Sequence, residues 1–196
     1  MIDMNYTVVQ LNAKDLTAIK DHLLRLDSEG RRMRFFSAIS DEGIGNYVDR
    51  ISWENDTCFG VFNLDQLVAF AHMSPNMVRV KECELGISID YDYRRKGLGK
   101  QMMKRVMTFA KARGIEVLIM ECLRQNMAMR DIATACGMQT VVDEDTAITQ
   151  VAIKTTFGDR MLEIHKDIVY ENLALVDGSV RRFYNNLTAM IKFPCN

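Results

Sequence analysis

A chain of 196 residues holds one domain with a short appendage and is short for a two-domain enzyme. Hydrophobic residues at 48% and charged residues at 26% supply a core and exclude a disordered chain. With 25 basic against 26 acidic residues, the net charge of -1 excludes a generally basic nucleic-acid coat but leaves room for a local patch. Leu67-Val68-Ala69-Phe70-Ala71 is the longest apolar run, far below the roughly 18 residues a membrane helix needs, so no membrane partner is expected. Met1-Ile2-Asp3-Met4-Asn5 has no basic head followed by an apolar stretch, and a cytoplasmic location is the expectation. Cys58, Cys83, Cys122, Cys136 and Cys195 form an odd set without a C-x-x-C pair or a close histidine; reduced thiols are expected, and no metal.

Tyr6 to Leu11 reads as a first strand, and Leu16, Ile19, Leu23 and Leu26 then recur at helical spacing. Asp41 to Ile51 reads as another helix. Thr57 to Asn63 and Gln66 to Ser74 are β-rich runs joined through Leu64-Asp65, a hairpin. From Glu84 to Asp90, Leu85, Ile87 and Ile89 alternate with Glu84, Gly86 and Ser88, so the two sets face opposite sides of a strand. Between Gly97 and Arg113, Leu98, Met102, Val106, Phe109 and Ala110 form an apolar helical stripe closed by Gly114. Val117 to Leu123 has the composition of a buried strand, and Met129, Ile132, Ala133 and Cys136 mark a short helix ended by Gly137. Ala147 to Lys154 reads as a late strand. Beyond Phe157 the pattern turns helical twice, through Met161, Ile164 and Ile168 and then Val180, Phe183, Leu187 and Ile191, so residues 158-196 are expected as a helical extension to a 1-157 domain. The order of elements predicts an α/β (mixed α+β) fold, a mixed and mostly antiparallel sheet with helices on both faces.

The stretch Tyr91-Asp92-Tyr93-Arg94-Arg95-Lys96-Gly97-Leu98-Gly99-Lys100 lies between a strand and the start of the strongest helix. From Arg94 to Arg105 there are six basic residues and no acidic one, an asymmetry that asks for an anion. Gly97 and Gly99 remove side chains where a ligand would approach the backbone, and the helix start adds unpaired N-H donors with partial positive charge. A solvated arginine-rich turn is the plainer alternative. Walker A is excluded because no Gly-Lys-Ser/Thr is present, and a dinucleotide fingerprint because position 102 is a methionine.

Arg94-x-x-Gly97-x-Gly99 after an alternating strand carrying Glu84 resembles the acyl-CoA loop of the GNAT superfamily of N-acetyltransferases. The later run Glu121-Cys122-Leu123-Arg124-Gln125-Asn126, then Met129, Ile132, Ala133 and Gly137, is similar to that family's second CoA-contacting strand, helix and closing glycine, although Met138 stands where an aromatic residue is usual. The resemblance covers Tyr6 to Lys154 and is strongest from Glu82 to Met138. It implies acetyl-CoA as acyl donor, held by Arg94, Arg95, Lys96, Gly97, Leu98, Gly99 and Lys100, and an enzyme that transfers the acetyl group directly to an amine. Leu26-Asp27-Ser28-Glu29, Arg34-Phe35-Phe36 and Asn126-x-x-Met129-x-x-Ile132-Ala133 resemble the acetyltransferase domain of bacterial protein-lysine acetyltransferases, which implies a protein lysine among the acceptors.

An amine with a pKa of about 10.4 is neutral at pH 7 only about once in 2,500 molecules, a penalty of about 4.6 kcal/mol, so the reaction needs a general base. The resemblance assigns this role to Glu84, with Glu82 on the same face as runner-up; the bland alternative is a strand-face glutamate in an ion pair. It also implies that backbone N-H groups near Ile87, Ser88 and Ile89 bind the thioester carbonyl, freed from the ladder by a bulge. Many members place a tyrosine seven residues after the asparagine to protonate the thiolate; here Ala133 stands there, and Tyr93 and Cys136 are weak substitutes. Asn126 fits two roles, a contact to the pantetheine arm and a helix N-cap. Cys83 and Cys122 read as buried core thiols rather than nucleophiles, and His22, His72 and His165 as structural.

Ala133 keeps a second function class open, a non-catalytic acyl-CoA sensor whose tail contacts a partner. A nucleic-acid partner is not expected, since no aromatic residues interleave with the basic run. The tail's stripe must be covered by the domain or by a second copy in a homodimer, and the acceptor is expected to meet variable loops near Phe35 to Ile44 and Thr140 to Thr146.

Overall fold

The structure, a computed structural model, describes residues 6-142 and 145-153; the expected helical extension, with His165 and Cys195, lies outside them. Among the described residues seven strands form one sheet: β1 (Val9–Gln10), β2 (Thr57–Asn63), β3 (Gln66–Pro75), β4 (Glu82–Ile89), β5 (Val117–Leu123), β6 (Gln139–Val142) and β7 (Thr146–Ala152), in the order β1-β2-β3-β4-β5-β7-β6. Every neighbouring pair is antiparallel except β4 and β5. A parallel pair needs a crossover of a dozen or more residues, and the helix α4 (Leu98–Ala112) supplies it. This is the mixed, mostly antiparallel sheet that the order of elements predicts.

Two hydrophobic clusters sandwich the sheet, because side chains alternate between its faces. On one face, α1 (Leu16–Arg25) and α3 (Asp41–Asp49) bury Ile19, Leu23, Ile44 and Val48 against Cys58, Leu67 and Phe70. On the other, α4 packs Leu98, Met102, Val106 and Phe109 against Phe59, Val61, Ala71, Leu85, Ile87, Leu118 and Met120, with Ala133 of α5 (Met127–Ala135) beside them. The alternation slips once. Val61 pairs with Ala69 and Phe62 with Leu67, which leaves Val68 as an extra residue, and Val68 and Ala69 consequently join the same cluster.

Three elements differ from the sequence expectation. α2 (Ser28–Phe35) forms although three of its eight residues are arginines and only Gly30 is buried. Its stability is local: the Asp27 side chain caps the Gly30 N-H at 2.8 Å, and Phe36 stops the helix at φ 64. Arg31 then ties it to both neighbours, donating to the carbonyls of Leu24, Leu26 and Ile39 and to Asp41. β6 occupies part of the expected loop from Thr140 to Thr146; it is a largely exposed edge strand held by β7. The first strand is shorter than Tyr6 to Leu11, since only Val9 and Gln10 form ladder pairs with β2. Among the described residues no helix is long and apolar enough to cross a membrane.

Phe59 is fully buried and meets Phe109 edge to face at 5.3 Å, joining α4 to the sheet centre. Phe59→Ala is expected to cost about 3–5 kcal/mol, read as a lower urea midpoint at unchanged slope.

Candidate active site

β4 and β5 share only three rungs, Glu82↔Val117, Cys83↔Leu118 and Glu84↔Ile119, and then part. The phase of the β3–β4 ladder decides which backbone groups the parting exposes. Asp90 donates its N-H to the Val68 carbonyl at 2.9 Å, and the register runs unbroken from Ala69↔Ile89 to Pro75↔Cys83. Even-numbered residues therefore exchange hydrogen bonds with β3, while Ile87 and Ile89 turn their N-H and C=O toward the gap. The expected bulge on β4 is absent: divergence from β5 frees these amides instead. Ser88, the third residue expected to offer its amide, spends its backbone on β3.

The gap continues into a cleft of about 480 Å³. Ile87, Ser88, Ile89, Arg94, Arg95, Gly97, Gly99, Lys100 and Asn126 all line it; Lys96, Leu98 and Glu84 do not. α4 opens toward it. Its first internal bond runs from the Gln101 N-H to the Gly97 carbonyl, and no side chain caps it, so the amides of Leu98, Gly99 and Lys100 stay unpaired within the helix. Gly97 has φ 81, and a Cβ there would meet nothing within 4 Å, so the backbone is open to a ligand. A Cβ on Gly99 would fall 2.6 Å from Ile132 Cδ1 and 3.3 Å from Ile89 Cδ1, so this glycine lets α4, α5 and β4 converge. Leu98 contributes only backbone here, its side chain being 1% exposed in the core.

The basic residues divide by role. Arg95 and Lys100 are exposed on the cleft, and among the described residues no acid forms an ion pair with either. Arg94, expected as an anion ligand, is a clip: Nη2 donates to Asp27 Oδ1 at 3.0 Å and Nε to the Ile89 carbonyl at 3.1 Å. Burial works to raise the Asp27 carboxyl, but hydrogen bonds from Arg94 and the Gly30 amide outweigh it and hold the group below its usual range. Lys96 turns away, its Nζ 5.5 Å from the Tyr93 ring centroid. The Asn126 side chain caps α5 by accepting from the Met129 N-H at 3.2 Å while lining the cleft.

Glu84 is exposed on the last rung before the strands part, opposite Ser74 on one side and Ile119 on the other. Glu82 sits one rung pair further from the opening, with Arg79 Nη1 3.7 Å away. The face they share also carries two buried polar chains that the sequence does not reveal. Ser88 Oγ lies 2.9 Å from His22 Nε2, and His22 Nδ1 lies 2.8 Å from Asp90 and 3.2 Å from the Leu67 carbonyl. Both neighbours of Nδ1 are acceptors, so Nδ1 carries a proton and the ring pins the end of β4 to α1. Burial works to raise the Asp90 carboxyl, yet His22 and Arg25 hold it down. The second chain starts at Arg34, whose guanidinium covers Gly86 so closely that a Cβ would fall on it. Arg34 Nη2 donates to Tyr47 Oη at 2.7 Å, Tyr47 is 2.7 Å from His72 Nδ1, and His72 Nε2 is 3.1 Å from Asp56. Arginine only donates, so Tyr47 must pass its own proton toward His72 Nδ1, and His72 presents N-H to Asp56.

The remaining candidates are committed elsewhere. Tyr93 accepts from Asn63 at 2.6 Å. Burial pushes the Cys58 thiol up to about 12 and Cys83 to about 11, and it also raises Cys122 and Cys136, so none is a ready thiolate. Ala133 is fully buried and offers no acid.

Residues 25–138, more than half of the chain, match the profile of the acetyltransferase (GNAT) family, and the chain belongs to that family. Solved structures agree on the fold. The GNAT domain of S. lividans PAT superposes with a TM-score of 0.65 at 13% identity, over 75% of this chain and 90% of that one. A GNAT superfamily phosphinothricin acetyltransferase from Sinorhizobium meliloti, in complex with AcCoA, gives 0.64 at 16% identity over 79% and 92%. The ribosomal-protein-S18-alanine N-acetyltransferase of Escherichia coli gives 0.60 at 21% identity over 77% and 96%. No curated protein matches the sequence.

Burial holds His72 below its usual value in spite of the opposing pull of Asp56. The folded state therefore favours the neutral ring, and the unfolded chain takes up a proton once pH falls below about 6.5. The stability this supplies is complete above about pH 6.5 and is lost as pH falls below it, toward the folded value. His72→Gln, which can still accept from Tyr47 and donate to Asp56, is expected to flatten the fall in urea midpoint between about pH 7.5 and pH 5.5. A fall of equal size in both proteins contradicts this.

Proposed function

We propose that the chain is an acetyl-CoA-dependent N-acetyltransferase that moves the acetyl group directly to a primary amine while donor and acceptor are bound together. The observation that carries this reading is the parting of β4 and β5 at a helix mouth. One opening offers the unpaired amides of Leu98, Gly99 and Lys100 and the cations Arg95 and Lys100 to a diphosphate, and the N-H groups of Ile87 and Ile89 to a thioester carbonyl. An oxyanion that forms as the amine attacks is stabilised by the same two amides, which need no reorganisation. Glu84 stands at the start of the opening and is exposed, so it can relay a proton from the incoming ammonium through water. With Ala133 in the core, the CoA thiol leaves without a dedicated acid; a thiol of pKa about 8.5 is a fair leaving group near pH 7.

Thiol release from acetyl-CoA against free amines, polyamines and protein lysines tests the activity; binding of the donor with no release for any amine supports the sensor reading, which the absence of an acid at Ala133 keeps in play. Glu84→Gln is expected to lower kcat by about 10²- to 10³-fold with donor affinity unchanged. The double variant R95A/K100A is expected to weaken acetyl-CoA binding at least about tenfold in calorimetry at low salt, and by less at high salt, where such charges are screened.

A further inference from the structure

We propose that Arg34 is an anion-recognition group and that the acceptor is a small amine carrying a carboxylate, rather than a bare alkylamine or a lysine side chain. This inference rests on the proposed function and adds the chemistry of the acceptor. Arg34 lines the cleft, on the face of β4 that carries Glu84, and its guanidinium lies over Gly86, next to the residue whose amide faces the gap. The reacting carbonyl and the attacking nitrogen meet there.

The charge on Arg34 is unanswered. Among the described residues no carboxylate forms an ion pair with it, whereas its neighbours on α2 are matched: Arg31 to Asp41 at 2.6 Å and Arg32 to Glu29 at 2.8 Å. Arg34 Nε is enclosed and has no hydrogen-bond partner. What surrounds the group is aromatic, with Phe35 and Tyr47 rings at 4.9 and 5.4 Å, and one neutral acceptor, Tyr47 Oη. Aromatic faces offset part of the desolvation of a guanidinium but cannot satisfy its N-H groups. Asp56, the acid at the far end of the chain, is separated by Tyr47 and His72, and their fixed hydrogen-bond direction turns a lone pair of Tyr47 toward Arg34. The relay thus holds the fork in place without neutralising it. A planar fork with unspent donors, half-buried at the wall of the cleft, fits a carboxylate and repels an ammonium.

Calorimetry on the full chain, with and without CoA, compares free amino acids and dicarboxylic amino acids with their amides and decarboxylated counterparts. In at least one matched set the carboxylate member is expected to bind ten times tighter or more. Arg34→Gln is expected to erase the difference, while Arg34→Lys, which keeps the charge but not the fork, retains part of it. The proposal is overturned if no set discriminates, or if discrimination survives Arg34→Gln. Equal weakening of every amine by Arg34→Gln also overturns it, since Arg34 then serves to position Glu84. The readout is binding, so a chain that selects carboxylates yet never releases CoA sinks the transferase reading, and with it the role of acceptor, but leaves Arg34 standing as the carboxylate-recognition group.

Discussion

Everything in the site descends from one failure of hydrogen bonding: β4 and β5 pair for three rungs and then stop. An unpaired strand edge inside a sheet is costly, because each buried amide left without a partner forfeits about 1–3 kcal/mol. The fold tolerates it because both strands are held from their outer sides, β4 by seven residues of β3 and β5 by seven of β7. The wedge between them is kept open by the start of α4 and by α5, whose approach depends on the missing side chain of Gly99. Freed amides of Ile87 and Ile89 are thus a consequence of topology. No bulge is required, and the phase set by the Asp90–Val68 bond alone determines which residues contribute.

The wall opposite the helix mouth is built from α2, and here local and long-range forces meet. α2 has little hydrophobic anchorage, so polar contacts dock it: Arg94 reaches from the loop before α4 to Asp27 at its cap, and Gly30 leaves room for both groups. The same arginine binds the Ile89 carbonyl, so the loop before α4, the end of β4 and the α2 wall are tied together. A side chain that the family resemblance marks as a phosphate ligand also fixes the position of the amides and cations around it.

Much of this was legible in the sequence where one residue type at one spacing has a single physical use. The alternation from Glu84 to Asp90, the stripe of α4 and the glycines at its start pointed to the strand, the crossover helix and the open backbone. What stayed hidden was non-local or polar. α2 lacks an apolar stripe, so periodicity passed over it. Gly86 looks like any strand glycine until Arg34 is seen lying on it, and His22 meets Ser88 across 66 residues, a pairing no local pattern encodes. Charge asymmetry found the basic run but not how it divides, because Arg94, Arg95, Lys96 and Lys100 differ in their partners and not in their composition.

Several local costs gather at the cleft. Asp27, Ser40 and Asn126 cap α2, α3 and α5 through side-chain oxygens. α4, the longest helix among the described residues, has no such cap, and it begins after Arg95 and Gly97, both at positive φ. The unpaired strand edge, the uncapped helix, the left-handed Arg95 and the unanswered Arg34 each cost stability, and all four face the same cleft. Such costs persist only where something else compensates for them. On the proposed function the compensating group is an anion for the helix mouth and a carbonyl oxygen for the strand edge, and for Arg34 it is the proposed carboxylate of the acceptor, since no carboxylate among the described residues pairs with it.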